Sequence, residues 1–267
     1  MPETRKKGIV ILAGAGPGDP ELITIKLQKF LRSADVIISD RLVNPEIISV
    51  YAHKDVHVIV AGKQGYSNKS YSQQDVTALI IEHALRGKRV VRLKGGDVAI
   101  FSNVLDEIEA LIQNGIAFEI IPGISAASGA SAYTGIPLTA RGYSQGVQLL
   151  TFNPNSNYTA ERWQSLAVSG DTLIFYMAAK NLDQLVSQLA KYGCPADTPL
   201  AVIEQATTQY QQVHITTIEK YSIDFAGKNF SSPSLVIVGK VVSLHRFFRW
   251  FHSNNKAGSI FKEIEKK

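Results

Sequence analysis

The chain has 267 residues, 45% of them hydrophobic and 19% charged, with a formal net charge of +5. That length suits two domains better than one, and no apolar run reaches the ~18–20 residues that span a bilayer. The charge is modest and no dense Lys/Arg block is present, so the balance suits an acidic small molecule and argues against nucleic acid. A single cysteine, Cys194, can form neither an internal disulfide nor a cysteine metal cluster, which fits a reducing, cytoplasmic setting. The charged start, Met1 to Lys7, leads into a strand-like run and not into a signal peptide.

Ile9 to Ala13 is the first strand-length apolar run. It opens into Gly14-Ala-Gly-Pro-Gly-Asp19-Pro-Glu-Leu-Ile-Thr24, after which helical spacing runs over Leu22 to Leu31. Strand, Gly/Pro loop and helix are the local reading, with Asp19 an acidic group on a stiffened turn. The dinucleotide fingerprint fails because Asp19 stands where a third glycine or alanine is required, and the G-K-[ST] ending of a phosphate loop is missing.

Val36 to Ser39 reads as a second strand followed by Asp40-Arg-Leu-Val43, and Val56 to Val60 as a third. Ser72 to Leu85 is an amphipathic helix in which Ser72 and Asp75 form a capping-box pattern. Arg89 to Leu93 is a fourth strand, ending in Lys94-Gly-Gly-Asp97. Leu105 to Gln113 is helical and closed by Asn114-Gly115, and Phe118 to Ile121 is a fifth strand ending in Pro122-Gly123. This βαβα rhythm predicts a mostly parallel sheet covered by helices. The small residues Ser125 to Ala132 form a segment able to approach another backbone or a ligand closely.

The second half predicts strands over Val147 to Phe152, Thr172 to Met177, Ala201 to Glu204, Gln211 to Thr217 and Leu235 to Val238. Their short intervals suggest a mixed sheet with more antiparallel pairing. A helix is expected over Leu182 to Tyr192, and a terminal one over Val241 to His252. The expected organisation is an N-terminal α/β domain over residues 1–136, a C-terminal α/β domain over 137–252, and a loose basic tail over 253–267.

In open α/β sheets ligands bind beyond the carboxyl ends of the strands. The loops at Gly14–Pro20, Asp40–Val43, Lys94–Phe101 and Pro122–Ala127, and the turn after Met177, are therefore the candidate site. Asp97 serves equally well as a turn former or a ligand group. The six histidines are scattered, with no H-E-x-x-H pattern, so no metal site is expected, and no G-x-S-x-G elbow is present.

Taken together, the Gly14–Thr24 loop, Ala34-Asp-Val36, Asp40–Val43, Gly62-Lys63, Gln73, the Gly87–Asp97 run, Pro122-Gly-Ile124, Ser128-Gly129, Ala132–Thr139 and the closing Ser232–Val242 segment resemble the uroporphyrinogen-III C-methyltransferases. These belong to the tetrapyrrole methylase superfamily, and the resemblance runs in order from about Ile9 to Val242. It implies two α/β domains with a cleft between them, and a homodimer. It also implies transfer of methyl groups from S-adenosyl-L-methionine to C2 and C7 of uroporphyrinogen III. The products would be S-adenosyl-L-homocysteine and precorrin-2, towards siroheme or cobalamin.

The resemblance places Asp19 as catalytic base and Arg41 at the position of a proton donor, where a guanidinium would instead bind a substrate carboxylate. Donor positions fall on Pro17, Gly95, Gly96, Asp97, Ile100, Ser125, Ala126, Met177, Ala206 and Ser234; Met177 also reads as plain core. Lys63, Lys94, Asn103 and Arg141 are the expected substrate-binding positions, with Arg92 a further cation. The chain departs from the family pattern after Gly-Gly-Asp. Asn103 stands in place of an arginine, and Ser102, Val104 and Leu105 in place of glycines. Ala140 and Asn153 each replace a histidine. A methyltransferase for a different tetrapyrrole, or a binding homologue without turnover, are the alternative expectations.

Overall fold

The computed structural model describes residues 7–61, 71–155 and 158–253. Gly62-Lys63 and the tail from Asn254 lie outside the described residues. The described residues divide into two compact units, those up to Ala126 and those from Ala127.

In the first unit, β1 (Ile9–Gly14) leads through a 3₁₀ turn (Pro20–Leu22) to α1 (Ile25–Ser33). The helix starts later than Leu22 because Thr24 caps it: its hydroxyl accepts the Leu27 N–H at 3.1 Å. β2 (Val36–Asp40), α2 (Pro45–Tyr51) and β3 (His57–Ala61) follow. Then come α3 (Gln73–Leu85), β4 (Arg89–Lys94), α4 (Leu105–Gln113) and β5 (Ala117–Ile121). Helix α2, absent from the expected elements, is capped by Asn44 and carries Pro45 in its first turn, a standard start signal. The expected capping box of α3 is formed: Ser72 Oγ accepts the Asp75 N–H at 3.1 Å and Asp75 accepts the Ser72 N–H at 2.8 Å. The Ser72 N–H, and the Ser72 hydroxyl donating to the same carboxylate oxygen at 2.8 Å, hold the Asp75 carboxyl below its ordinary range.

The first sheet is all-parallel, in the order β3-β2-β4-β1-β5. Strand alternation sends Ile11, Ala13, Ile37, Val91 and Leu93 to a face packed with Leu27, Leu31, Ile47 and Ile48 of α1 and α2. Val10, Leu12, Val36, Ile38 and Val90 face the other way, onto Val76, Ile80, Ala84 and Leu111 of α3 and α4. Each fully buried Val, Leu or Ile among them contributes roughly 1.5–3 kcal/mol. The same alternation puts Arg92 and Lys94 on the α3/α4 face, and both are buried.

Helix α5 (Ala126–Thr134) forms from the small-residue segment. It belongs almost wholly to the second unit, so the structural boundary falls before the expected one at residue 136. The bonds explain this: the Ala127 N–H donates to the Tyr176 hydroxyl at 3.1 Å, and the Tyr133 carbonyl accepts from Gln211. Then follow β6 (Val147–Thr151), α6 (Ala160–Val168), β7 (Thr172–Tyr176), α7 (Leu182–Lys191) and β8 (Pro199–Glu204). β9 (Gln212–Thr217), α8 (Tyr221–Asp224), β10 (Ser234–Val238) and α9 (His245–Phe248) complete the unit. The sheet order is β6-β7-β10-β8-β9; β6 and β7 are parallel and the other pairs antiparallel. Leu166, Leu173, Phe175, Leu185, Leu189, Val202 and Val236 form its core.

The terminal helix expected over Val241 to His252 is broken. A 3₁₀ stretch (Lys240–Leu244) precedes the single turn of α9, and the backbone is extended at Arg249. The β-branched pair Val241-Val242 and the aromatic run disfavour α-helix. Trp250 then leaves the axis, donates its indole N–H to the Ala132 carbonyl at 2.8 Å and packs on Tyr133 at 5.2 Å.

Cys194 packs against the second core, and burial raises its thiol above the ordinary value, opposed by a hydrogen bond with Thr198. Iodoacetamide at pH 7.5 is therefore expected to alkylate the folded chain about tenfold more slowly than the urea-unfolded chain, read by mass spectrometry. Equal rates would contradict the burial. Because folding raises this pKa, the contribution to stability is intact below the unfolded value of about 8.5 and is lost as pH rises through and above it.

Candidate functional site

The carboxyl ends of β1, β4 and β5 meet through glycine. Gly16 and Gly96 exchange backbone hydrogen bonds, Gly16 N–H to Gly96 O at 3.1 Å and Gly96 N–H to Gly16 O at 2.8 Å. Both sit at positive φ, +78° and +69°, which side-chain-bearing residues rarely adopt. A Cβ on Gly14 would lie 2.6 Å from the Gly96 oxygen, and one on Gly123 would lie 2.3 Å from that same oxygen. These three loops thus touch backbone to backbone. Gly95 approaches the β2 loop in the same way, its missing Cβ falling 3.0 Å from Leu42 Cβ.

Asp97 joins two of the loops. One carboxylate oxygen accepts the Ala99 N–H and the other accepts the Gly123 N–H, each at 2.8 Å. Turn former and cross-loop tie are therefore both its roles here. Asp19 caps the 3₁₀ turn by accepting the Glu21 N–H at 2.8 Å. Asn44 braces the same loop by donating to the Gly18 carbonyl at 2.9 Å. Pro17, Gly95, Asp97, Ile100, Ser125 and Ala126 are all half-buried, and Gly96 is buried. This accessible rim, part apolar and part backbone amide, on a rigid base fits a ligand with an apolar body and a polar amino-acid end.

Two expected cations are elsewhere engaged. Arg92 and Lys94 are 2% and 1% exposed. Arg92 and Gln73 each donate to one oxygen of Glu107 at 3.1 Å, Lys94 forms an ion pair with that same oxygen at 3.1 Å, and Arg92 also pairs with Asp40. Lys94 further donates to the Ser102 carbonyl at 2.7 Å. The expectation that Lys94 and Arg92 reach a ligand is therefore corrected: they are internal, and Glu107 in the first turn of α4 is the counter-ion the local pattern did not reveal. The second Glu107 carboxylate oxygen is buried with no hydrogen-bond partner. Arg41, directly after β2, and Arg141, on the Ala140–Ser144 turn, are exposed. Lys63 lies outside the described residues.

The Lys94-held turn carries Phe101 at φ +50° and Asn103 at φ +51°. Asn tolerates the left-handed region better than most side chains, which gives Asn103 a backbone reason for its place. Phe101 and Asn103 are both exposed.

In the second unit, Met177, Ala206 and Ser234 gather at one end of the sheet. Met177 follows β7 and Ala206 follows β8, while Ser234 pairs with Glu204 and Leu235 with Tyr176. Met177 is 66% exposed, so the reading of it as core is overturned. Met177, Gln205 and Thr207 have φ of +58°, +49° and +69°. Strain of order 1–3 kcal/mol at each such residue is typical of functional loops. No glycine marks Gln205 or Thr207, so nothing in the local residue pattern signals their conformation. Among the described residues no group of three or more His, Cys, Asp or Glu could hold a metal ion, and no helix is long and apolar enough to cross a membrane.

The chain belongs to the tetrapyrrole (corrin/porphyrin) methylase family, whose pattern matches residues 10–221. It is 43% identical over 92% of its length to the siroheme synthase of Nitrosospira multiformis, covering 52% of that protein. The chain thus spans about half the length of the curated relatives it matches. Among solved structures it resembles the uroporphyrin-III C-methyltransferase of Thermus thermophilus, with TM-score 0.75 and 31% identity, covering 92% of this chain and 98% of that one. A Thermus thermophilus structure complexed with S-adenosylhomocysteine matches with TM-score 0.72 and 28% identity, over 88% of this chain and 93% of the other.

Proposed function

We propose that this chain is an S-adenosylmethionine-dependent C-methyltransferase that methylates uroporphyrinogen III at C2 and C7, yielding precorrin-2 for siroheme or cobalamin. The observation that carries this reading is the glycine-locked loop end of the first sheet, with Asp19 on its rim. The likeness to the Thermus thermophilus enzyme supports it. The donor supplies a methyl group on a sulfonium centre, which leaves as S-adenosylhomocysteine. A pyrrole carbon is already nucleophilic, so the chain's task is alignment and removal of one proton.

Pro17, Gly95, Gly96, Asp97, Ile100, Ser125 and Ala126 hold the donor in this reading; Met177, Ala206 and Ser234 are likewise donor residues. The methylated carbon already bears a side chain and carries no hydrogen, so Asp19 takes the proton that the ring system gives up to balance the new bond, from a ring N–H or an adjoining bridge methylene. Arg41 and Arg141 are exposed and always charged, and bind carboxylates of the eight-carboxylate acceptor, with Lys63 a further cation. The chain acts as a homodimer in the cytoplasm, without nucleic acid or membrane partners. Asn103 in place of the family arginine favours one alternative, a different tetrapyrrole acceptor.

The test is anaerobic incubation of the purified chain with labelled S-adenosylmethionine and uroporphyrinogen III. Transfer of two methyl groups per acceptor is expected. Calorimetric binding of S-adenosylhomocysteine without transfer would overturn the acceptor assignment, and no binding would overturn the donor assignment.

A further inference from the structure

We infer that Gln211 is a positioning residue for the methyl donor, its buried side-chain amide holding the loop that presents Ala206. The inference rests on the reading of Ala206 as a donor residue.

Ala206 lies between two residues with left-handed backbone, Gln205 and Thr207. Its orientation therefore depends on both being held there. Gln205 is fixed by backbone: its N–H donates to the Pro233 carbonyl at 2.8 Å, and its own carbonyl accepts the Thr208 hydroxyl at 2.7 Å. Thr207 is β-branched, so φ of +69° is the most strained of the set. Its N–H is held by a side chain: Gln211 Oε1 accepts it at 2.9 Å. Gln211 Nε2 donates to the Tyr133 carbonyl on α5 at 3.3 Å. One neighbour needs an acceptor and the other a donor, so this orientation of the amide satisfies both. Gln211 is 4% exposed and away from competing water. Without it, the Thr207 N–H loses this acceptor, and relaxation towards negative φ would swing Ala206.

The test uses Gln211→Ala and Gln211→Glu in the full chain. S-adenosylhomocysteine affinity is measured by calorimetry, and donor and acceptor KM by steady-state methyl transfer. Gln211→Ala is expected to weaken donor binding about tenfold, the order of one lost hydrogen bond. Donor KM should rise in parallel, while acceptor KM and kcat at saturating donor stay within about twofold. Gln211→Glu keeps an acceptor for Thr207 and is expected to lose only about threefold. Hydrogen exchange at the Thr207 amide should accelerate in Gln211→Ala. If that variant does not fold, the Gln211→Glu result and its Thr207 exchange decide. Donor affinity unchanged in a folded variant, or acceptor KM rising as much as donor KM, would overturn the inference alone. Failure of the unaltered chain to bind S-adenosylhomocysteine would overturn the donor reading and this inference with it.

Discussion

Replacing Glu107 with alanine is expected to destabilise the first unit by about 3–5 kcal/mol, the usual cost of stranding a buried charge. Glu107 is 1% exposed, and one of its oxygens takes Arg92, Lys94 and Gln73. Among the described residues its loss leaves Lys94 buried with the Ser102 carbonyl alone, and Arg92 with Asp40 and two backbone carbonyls. Chemical denaturation followed by hydrogen exchange in β4 and α4 would read the effect in the unit concerned, since a two-unit chain need not unfold in one step. A loss under about 1 kcal/mol would show that Asp40 alone balances the two cations. The same substitution should raise exchange over Phe101–Asn103, because Lys94 anchors that turn through the Ser102 carbonyl.

Asp19→Asn is expected to lower the single-turnover rate of methyl transfer by about 10²–10⁴-fold, the range for removal of a positioned base. The substitution separates chemistry from structure. Asparagine caps a helical turn about as well as aspartate, so the bond from the Glu21 N–H survives and stability should change by only a few tenths of a kcal/mol. Donor affinity should be retained as well. A rate within about threefold of the original would remove Asp19 from the proton transfer and leave it as a cap.

Much of the first unit could be read from local pattern. Apolar runs separated by helical spacing encode a parallel sheet, and Ser72 and Asp75 announce the start of α3 three positions apart. Those signals are local, and the structure meets them. The charges at Arg92 and Lys94 show where local pattern fails. On a strand that ends at the candidate site, two cations spaced by one residue read as ligand groups. Their burial depends on Glu107, which a loop and a helix turn bring to the same face. The left-handed Met177, Gln205 and Thr207 were equally hidden. At Gln205 and Thr207 the conformation is held by hydrogen bonds to the Pro233 carbonyl and the Gln211 side chain, and at none of the three is glycine there to signal it. The Val241–His252 segment failed for the opposite reason: helical spacing was present, but weak propensity and the pull of Trp250 towards Ala132 broke the helix.

The backbone contact among Gly14, Gly96 and Gly123 bears on how a protein of this kind can diversify. Any side chain at Gly14 or Gly123 meets main-chain atoms well inside contact distance. Mutational drift is therefore barred from the rigid base of the site, and a change of acceptor has to be written elsewhere. The turn from Phe101 to Asn103 offers that freedom: it is exposed at its two left-handed positions and anchored from beneath by Lys94. In the proposed reaction, a single scaffold would thus keep the donor arm fixed while the acceptor arm is rewritten in a few surface letters.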